Sequence, residues 1–177
     1  MICFNSCTLL RPLPLKPVTN KEAVQHIEKF DVSKFNGDYE IISVDSNFCT
    51  LDYTFTYSLL FNLKKLPKKN DYIRLLAIDD RHVKASLFVN DKIVKVKIIT
   101  GHLINNYFEF HTSHFFLKYI VIGYGQQTNR LALSKEEDLY LDTNRGGIGF
   151  LLILPIPLSG SSYDFYNLKF KRKNNSS

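Results

Sequence analysis

The strongest constraint on the fold is an alternation of apolar and polar residues over positions 51–63. Every odd position in this segment is apolar, and most even positions carry a short polar side chain. Successive side chains of a β-strand point to opposite faces of a sheet, whereas a helix repeats its apolar face every three to four residues. The period of two therefore predicts a strand with one buried face.

The same period recurs along most of the chain. Residues 83–89 and 94–98 alternate on either side of Asn90-Asp91, which predicts a β-hairpin. Further strands are predicted over 39–44, 72–78, 103–110, 117–124, 130–134, 148–154 and 163–171. The polar run 125–129 and the short polar segments between the other strands predict turns.

This pattern predicts an all-β fold, a single antiparallel up-and-down β-barrel, because a sheet of nine or ten strands curls and closure removes its edges. The 177 residues amount to one domain. We expect a Pro-rich extended arm over 1–18, the barrel domain over 19–172 and a frayed basic and polar tail over 173–177.

A short helix is predicted ahead of the barrel. Thr19 and Glu22 form a capping-box pattern, and an apolar stripe follows them, so the helix covers about residues 20–29. Residues 31–35 predict one further helical turn before the first strand.

The segment after this helix, FDVSKFNGDYEII over 30–42, resembles the opening signature of the lipocalins, in which a helical turn and Gly-x-Trp precede an apolar strand. The matching residues are Phe30, Asp31, Lys34, Phe35, Gly37, Glu40 and Ile41. Later, segments 119–124 and 130–134 resemble the paired late strands of that family, and 150–154 takes the place of the last barrel strand.

The chain also departs from the lipocalin pattern. Tyr39 replaces the signature Trp, and the Arg that usually follows the last strand has no clear counterpart, since Pro155 and Pro157 stand there. A weaker resemblance, carried by residues 140–142, 145–146 and Phe150, is to the plastid fibrillins, which are lipocalin-like.

The lipocalin resemblance implies a barrel that transports or sequesters a small hydrophobic ligand, such as a fatty acid, sterol, retinoid or haem. The alternation shows which residues of each strand share a face, and the lipocalin resemblance implies that the apolar face points into the barrel. These ligand-binding candidates are Tyr39, Ile41, Phe55, Tyr57, Leu59, Val83, Ala85, Leu87, Val94 and Val96. The inward face of a barrel of about eight strands either fills the interior or lines one cavity, so a filled structural or interaction module is an alternative.

Basic clusters suggest a third possibility, an OB-like barrel that binds single-stranded nucleic acid. The net charge is +6, and basic pairs at 64–65 and 68–69 accompany the cations of 169–173. However, the aromatic residues of 51–63 share their face with leucines, which marks that face as buried. Nucleic acid is therefore not expected as a partner.

No sequence motif predicts catalysis, so we expect a protein that is not an enzyme, with no catalytic residue, metal or cofactor. His111 and His114 are interpreted as ordinary loop histidines. The acidic cluster 136–138 is interpreted as a solvated turn. Residues 145–147 could offer a cation and backbone amides to an anion, but turn geometry explains the two glycines equally well.

No segment is long and apolar enough to predict a transmembrane helix. The start of the chain lacks a basic n-region, so we expect a secreted or lumenal protein if a signal peptide was removed and a cytoplasmic one otherwise. Cys3, Cys7 and Cys49 allow either one disulfide or three thiols. Segments 119–122 and 150–154 are apolar on both faces, which favours a homo-oligomer unless the N-terminal arm covers them.

Overall fold

A computed structural model of the chain describes residues 31–41, 68, 70–118, 121–151, 157–159 and 163–173. Within these ranges a 3-10 turn at Val32–Phe35 precedes nine strands. The strands are β1 Gly37–Glu40, β2 Tyr72–Ala77, β3 His82–Val89, β4 Lys92–Ile104, β5 Tyr107–Lys118, β6 Val121–Leu133, β7 Leu139–Leu151, β8 Pro157–Ser159 and β9 Tyr163–Phe170. The turn predicted over 31–35 is confirmed.

The strands form one antiparallel sheet that curls into a nearly closed barrel. Strands β1 to β7 are neighbours in chain order, β8 pairs with one part of β7, and β9 pairs with the other. The chain after β9 returns to β1, where Tyr39 and Arg172 form an antiparallel bridge and the Glu40 N–H donates to the Lys171 carbonyl over 2.9 Å. The all-β barrel prediction is therefore confirmed, and β9, rather than segment 150–154, is the last barrel strand.

The barrel interior is occupied at one end by a single apolar core. Its largest fully buried side chains include Tyr39, Phe35, Phe108, Phe110 and Phe170. The Tyr39 hydroxyl donates a 3.0 Å hydrogen bond to the Phe35 carbonyl, so the ring that replaces the expected Trp ties β1 to the 3-10 turn. Burial raises the pKa of Tyr39 to about 12, despite the nearby positive charge of Arg172.

Two-residue turns join β3 to β4 and β4 to β5. Asn90 and Asp91 have φ of 50° and 59°, and Asn105 and Asn106 have φ of 49° and 72°. Positive φ at both central residues is the geometry of type I′ hairpins, whose twist matches that of the strands. The predicted hairpin at Asn90-Asp91 is confirmed, whereas a single strand over 103–110 is wrong because the chain reverses at Asn105-Asn106.

A β-bulge in the β3–β4 hairpin changes which residues face the core. After the turn, Phe88 pairs with Ile93, but Leu87 pairs with Lys95, so Val94 is an extra residue without a cross-strand partner. One inserted residue moves every later side chain of a strand to the other face.

Val94 and Val96 were expected to share the inward face with Val83, Ala85 and Leu87, and that placement is wrong. Val96 pairs with Ser86, not with Ala85, and Val94 and Val96 are 49% and 51% exposed. A regular two-residue hairpin would have placed them inward, so the bulge is the cause of the difference.

The polar run 125–129, predicted as a turn, lies in the middle of β6, and residues 145–147 lie in the middle of β7. The strand predicted over 117–124 is also wrong, because Lys118 of β5 pairs with Val121 of β6 across a chain reversal. By contrast, the strands predicted over 72–78 and 163–171 are confirmed as β2 and β9.

Several predictions fall outside the described residues. These are the arm over 1–18, the helix over 20–29, the strand over 51–63 with Phe55, Tyr57 and Leu59, and the three cysteines. Within the described ranges, no helix has the length and apolar character needed to cross a membrane.

Candidate functional site

The inner face of β5, β6 and β7 changes from apolar to polar along the strands. Phe108, Leu131 and Leu141 are cross-strand partners within the apolar core. The next rows on the same face bring together four polar residues, which we call the polar cluster: Thr112, Gln127, Asn129 and Thr143. Its position directly after the core places it inside the barrel.

Hydrogen bonds between side chains hold the polar cluster together. The Gln127 amide nitrogen donates to Asn129 Oδ1 and to Thr143 Oγ1, both over 2.9 Å. The Thr143 hydroxyl donates to the same Asn129 oxygen over 2.8 Å. These three residues are 4%, 0% and 2% exposed, so their bonds form away from water, where each contributes more than at a surface.

Two polar atoms of the cluster have no hydrogen-bond partner among the described residues. They are the side-chain nitrogen Nδ2 of Asn129 and the hydroxyl oxygen Oγ1 of Thr112, both buried. A buried polar group without a partner costs about 1–3 kcal/mol. The Asn129 oxygen is fixed by two donors, so the free N–H groups have a defined direction and can donate to an acceptor that enters the barrel.

Beyond the polar cluster, glycines occupy the same face of β6 and β7. Gly123 pairs with Gly149, and Gly125 pairs with Gly147. Glycine has no side chain, so β6 and β7 add no bulk to the interior in these two rows, whose β5 positions are His114 and Phe116. The inner face of β6 therefore runs from Leu131, through Asn129 and Gln127, to two glycines that place only backbone against the interior.

Five of the predicted wall residues lie in the apolar core. Tyr39, Ile41, Val83, Ala85 and Leu87 are each fully buried and belong to one cluster. Their inward placement agrees with the expectation, and whether they contact a ligand stays a prediction.

A cation also lies on the inner face of β4. Lys97 pairs with Ala85, and it is half-buried. Burial lowers the pKa of the Lys97 ammonium, and no ion pair to it is found in the described part of the chain. A ligand carboxylate is one group that would compensate for this burial.

Sequence reasoning missed the polar cluster, because a polar, Gly-containing run resembles a turn. A usable signal exists, however. Gln127 and Asn129 are in phase with Leu131 and Leu133, so the inward face of β6 continues through them at a period of two.

Two lysines near the C-terminus contact other parts of the protein. Lys169 Nζ lies 3.1 Å from an Asp138 carboxylate oxygen, which raises the pKa of Lys169. The Lys173 ammonium lies 4.2 Å from the centre of the Tyr72 ring. Lys171, between them, is exposed, and the absence of a nucleic-acid partner stays a prediction.

The acidic segment 136–138 is therefore not simply a solvated turn. Asp138 also accepts a 3.0 Å hydrogen bond from the Arg172 N–H, and the Arg172 guanidinium pairs with Glu137 and donates to the Asn36 carbonyl. Arg172 follows the last barrel strand, so these contacts join the end of that strand to the β6–β7 turn and to the start of β1.

The histidines and acidic residues form no metal site in the described ranges, where no group of three or more possible metal ligands occurs. His111 lies on β5, not in a loop as predicted, and its Nδ1 is 3.0 Å from the Thr128 hydroxyl oxygen. Comparison with known proteins gives no match to a family model, a curated protein or a solved structure. The functional argument therefore depends on the geometry of the barrel interior.

Proposed function

We propose that the protein binds a small, largely apolar ligand inside the barrel, and that the polar cluster orients it. One observation carries this proposal: the Asn129 side-chain nitrogen is fully buried and has no partner among the described residues. Ligand pockets combine an apolar lining with a few placed polar groups. A ligand carbonyl, hydroxyl or carboxylate oxygen would accept the Asn129 N–H.

The neighbouring rows support this proposal. An apolar ligand tail would gain from burial against the core side chains at about 25 cal/mol per Å² of apolar surface. The paired glycines Gly125 and Gly147 leave β6 and β7 without side chains in the adjacent row of the inner face. A filled barrel, the alternative, would need other side chains to cover both that surface and the Asn129 amide.

Membership of the lipocalin family remains part of the proposal. Three features support it: the 3-10 turn at Val32–Phe35 before β1, the buried Tyr39 in place of the Trp, and Arg172 after the last strand. A binding role without catalysis is likewise proposed, and the homo-oligomer stays a prediction.

The decisive experiment measures the binding of a fatty acid, a fatty alcohol, a sterol, a retinoid and haem to the purified protein. Asn129→Asp keeps the side-chain shape but removes the free donor, and Thr112→Val removes the buried hydroxyl. We expect at least one ligand to bind, and either variant to weaken it about tenfold, the loss that corresponds to one hydrogen bond.

Thr100→Val is the matched control, because Thr100 is exposed on β4 and the substitution is the same as at Thr112. This variant should bind the ligand like the wild type. Failure of the whole panel to bind would favour the filled barrel, and equal affinity in the wild type and both interior variants would show that the polar cluster does not orient the ligand. A fatty acid that binds more tightly than its alcohol, with the difference lost in Lys97→Met, would assign Lys97 to the carboxylate.

A further inference from the structure

The barrel wall is open along one seam, between the first part of β4 and the second part of β5. These two strands pair only where residues 101–104 face residues 107–110. Among the described residues, β4 before Gly101 pairs with β3 alone, and β5 after Phe110 pairs with β6 alone. Residues 95–100 are therefore the edge of a sheet, which we call the β4 edge.

The backbone of the β4 edge directs hydrogen-bonding groups into the seam. The Gly101 N–H donates to the Arg81 carbonyl over 2.8 Å, on the side of β3. Successive residues of a strand turn their N–H and C=O groups to opposite sides, so every second residue back from Gly101 bonds to β3. The N–H and C=O groups of Val96, Ile98 and Thr100 therefore point away from β3, where an added strand would pair with them.

The side chains of the β4 edge alternate between two chemistries. Lys95 and Lys97 pair with buried residues of β3, which places both lysines on the inner face beside the seam. Val96 and Ile98 lie on the outer face and are 51% and 56% exposed. A strand added to this edge would place its own side chains beside the lysines on one face and beside the aliphatic residues on the other.

We propose that the β4 edge binds an extended peptide in which acidic and aliphatic residues alternate. The acidic side chains would lie beside Lys95 and Lys97, and the aliphatic side chains would cover Val96 and Ile98. Backbone hydrogen bonds would hold the peptide, and these side-chain pairs would select it, because cross-strand pairs of opposite charge are favourable. This binding does not depend on a ligand inside the barrel.

The lysines make a second copy of the chain a poor occupant of the β4 edge. Two such edges that pair antiparallel in one continuous sheet bring the same face of each copy together. Lys95 and Lys97 would then lie beside the same lysines of the second copy, and like charges in neighbouring strands oppose the pairing. Lysines on edge strands prevent association of this kind in natural sheets. An acidic strand, by contrast, is attracted by the same charges.

Fluorescence anisotropy with the full chain and a labelled synthetic peptide tests this inference. The probe is a peptide of about six residues, a common strand length, in which glutamate and valine alternate. We expect this peptide to bind. A control peptide with lysine in place of each glutamate should bind at least about tenfold more weakly, because every charge pair with the β4 edge becomes repulsive.

Two further tests examine the backbone pairing. N-methylation of all valines, or of all glutamates, blocks the N–H groups along one side of the peptide strand, so one of these two peptides should lose binding and the other should keep it. Val96→Pro removes an N–H that points into the seam and should weaken binding at least about tenfold. Proline is tolerated at such a position of an edge strand, and circular dichroism would verify the fold.

A pair of matched variants tests the charge. Lys95→Glu should weaken binding of the glutamate peptide at least about fivefold. Lys84→Glu makes the same change at an exposed position on the outer face of β3, and it should bind the peptide like the wild type. The inference is wrong if the glutamate peptide does not bind, if the lysine peptide or both methylated peptides bind equally well, or if Lys84→Glu weakens binding as much as Lys95→Glu.

Discussion

Arg172 lies across Gly37, so closely that a Cβ added at residue 37 would come within 2.8 Å of the guanidinium Nε. The same guanidinium donates to the Asn36 carbonyl and pairs with Glu137. The start of β1, the chain after β9 and the β6–β7 turn are therefore joined at one point. The absence of a side chain at Gly37 is what allows this approach.

Gly37→Ala should lower the free energy of unfolding by about 1–2 kcal/mol, because Arg172 must move away from its partners. Arg172→Ala removes the obstacle as well as the contacts, so adding Gly37→Ala to it should cost much less. A double-mutant cycle by urea unfolding measures this coupling. Additive effects of the two substitutions would contradict it.

Gly101→Ala should be more damaging, because the neighbouring atom is backbone. An added Cβ would come within 2.5 Å of the Glu109 carbonyl oxygen and 2.8 Å of the Phe108 ring. We expect a loss of about 3 kcal/mol or more in thermal or urea unfolding, at the upper end of overpacking costs. Gly146→Ala, with no atom within 4 Å of its Cβ, is the control and should change stability little.

Tyr39 should make stability fall at high pH. Its pKa is about 12 in the folded protein and 10.0 in an unperturbed tyrosine, so the unfolded chain loses this proton first. The stabilisation is complete below pH 10 and is lost as the pH rises toward 12, at about 1.4 kcal/mol per pH unit.

Urea unfolding of the wild type and of Tyr39→Phe isolates this effect, at several pH values from about 9 to 12, the range in which tyrosine ionises. The variant lacks both the titrating group and the hydrogen bond to Phe35, so it should be less stable by about 1 kcal/mol at neutral pH and show a shallower decline above pH 10. If the free energy of unfolding fell equally steeply with pH in both proteins, Tyr39 would not be the cause of the pH dependence.

The β3–β4 turn should accept glycine with a gain in stability. Asp91 has φ of 59°, a conformation in which an L side chain is disfavoured, and Asn-Gly is the preferred pair in a type I′ turn. Asp91→Gly should raise the melting temperature, with a gain of up to about 1 kcal/mol. Asp80→Gly, at an exposed position without positive φ, should not stabilise the protein.

Local sequence was sufficient for the class of fold and for several of its elements. Alternation at a period of two follows directly from strand geometry, so an antiparallel β-barrel, the β2 and β9 strands and the turn at Asn90-Asp91 could all be predicted. These features depend on residues that are close together in the chain. A short stretch of sequence is therefore enough to predict them.

The β-bulge opposite Leu87 and Phe88 determines on which face of the sheet Val94 and Val96 lie. A bulge depends on how two strands pair, and one inserted residue leaves the alternation within each strand unchanged. The sequence pattern of β4 is the same with or without it, yet its inward face differs.

The polar cluster and the Arg172 contact required the tertiary structure for a related reason. Gln127 can lie in a buried strand because Thr143, 16 residues later, accepts its hydrogen bond. Arg172 donates to the Asn36 carbonyl, which is 136 residues away in the chain. A polar residue is stable inside a barrel only when a partner compensates for its lost hydration. Sequence periodicity identifies the strands, whereas the partners that make a buried polar residue tolerable become visible only once distant strands are paired.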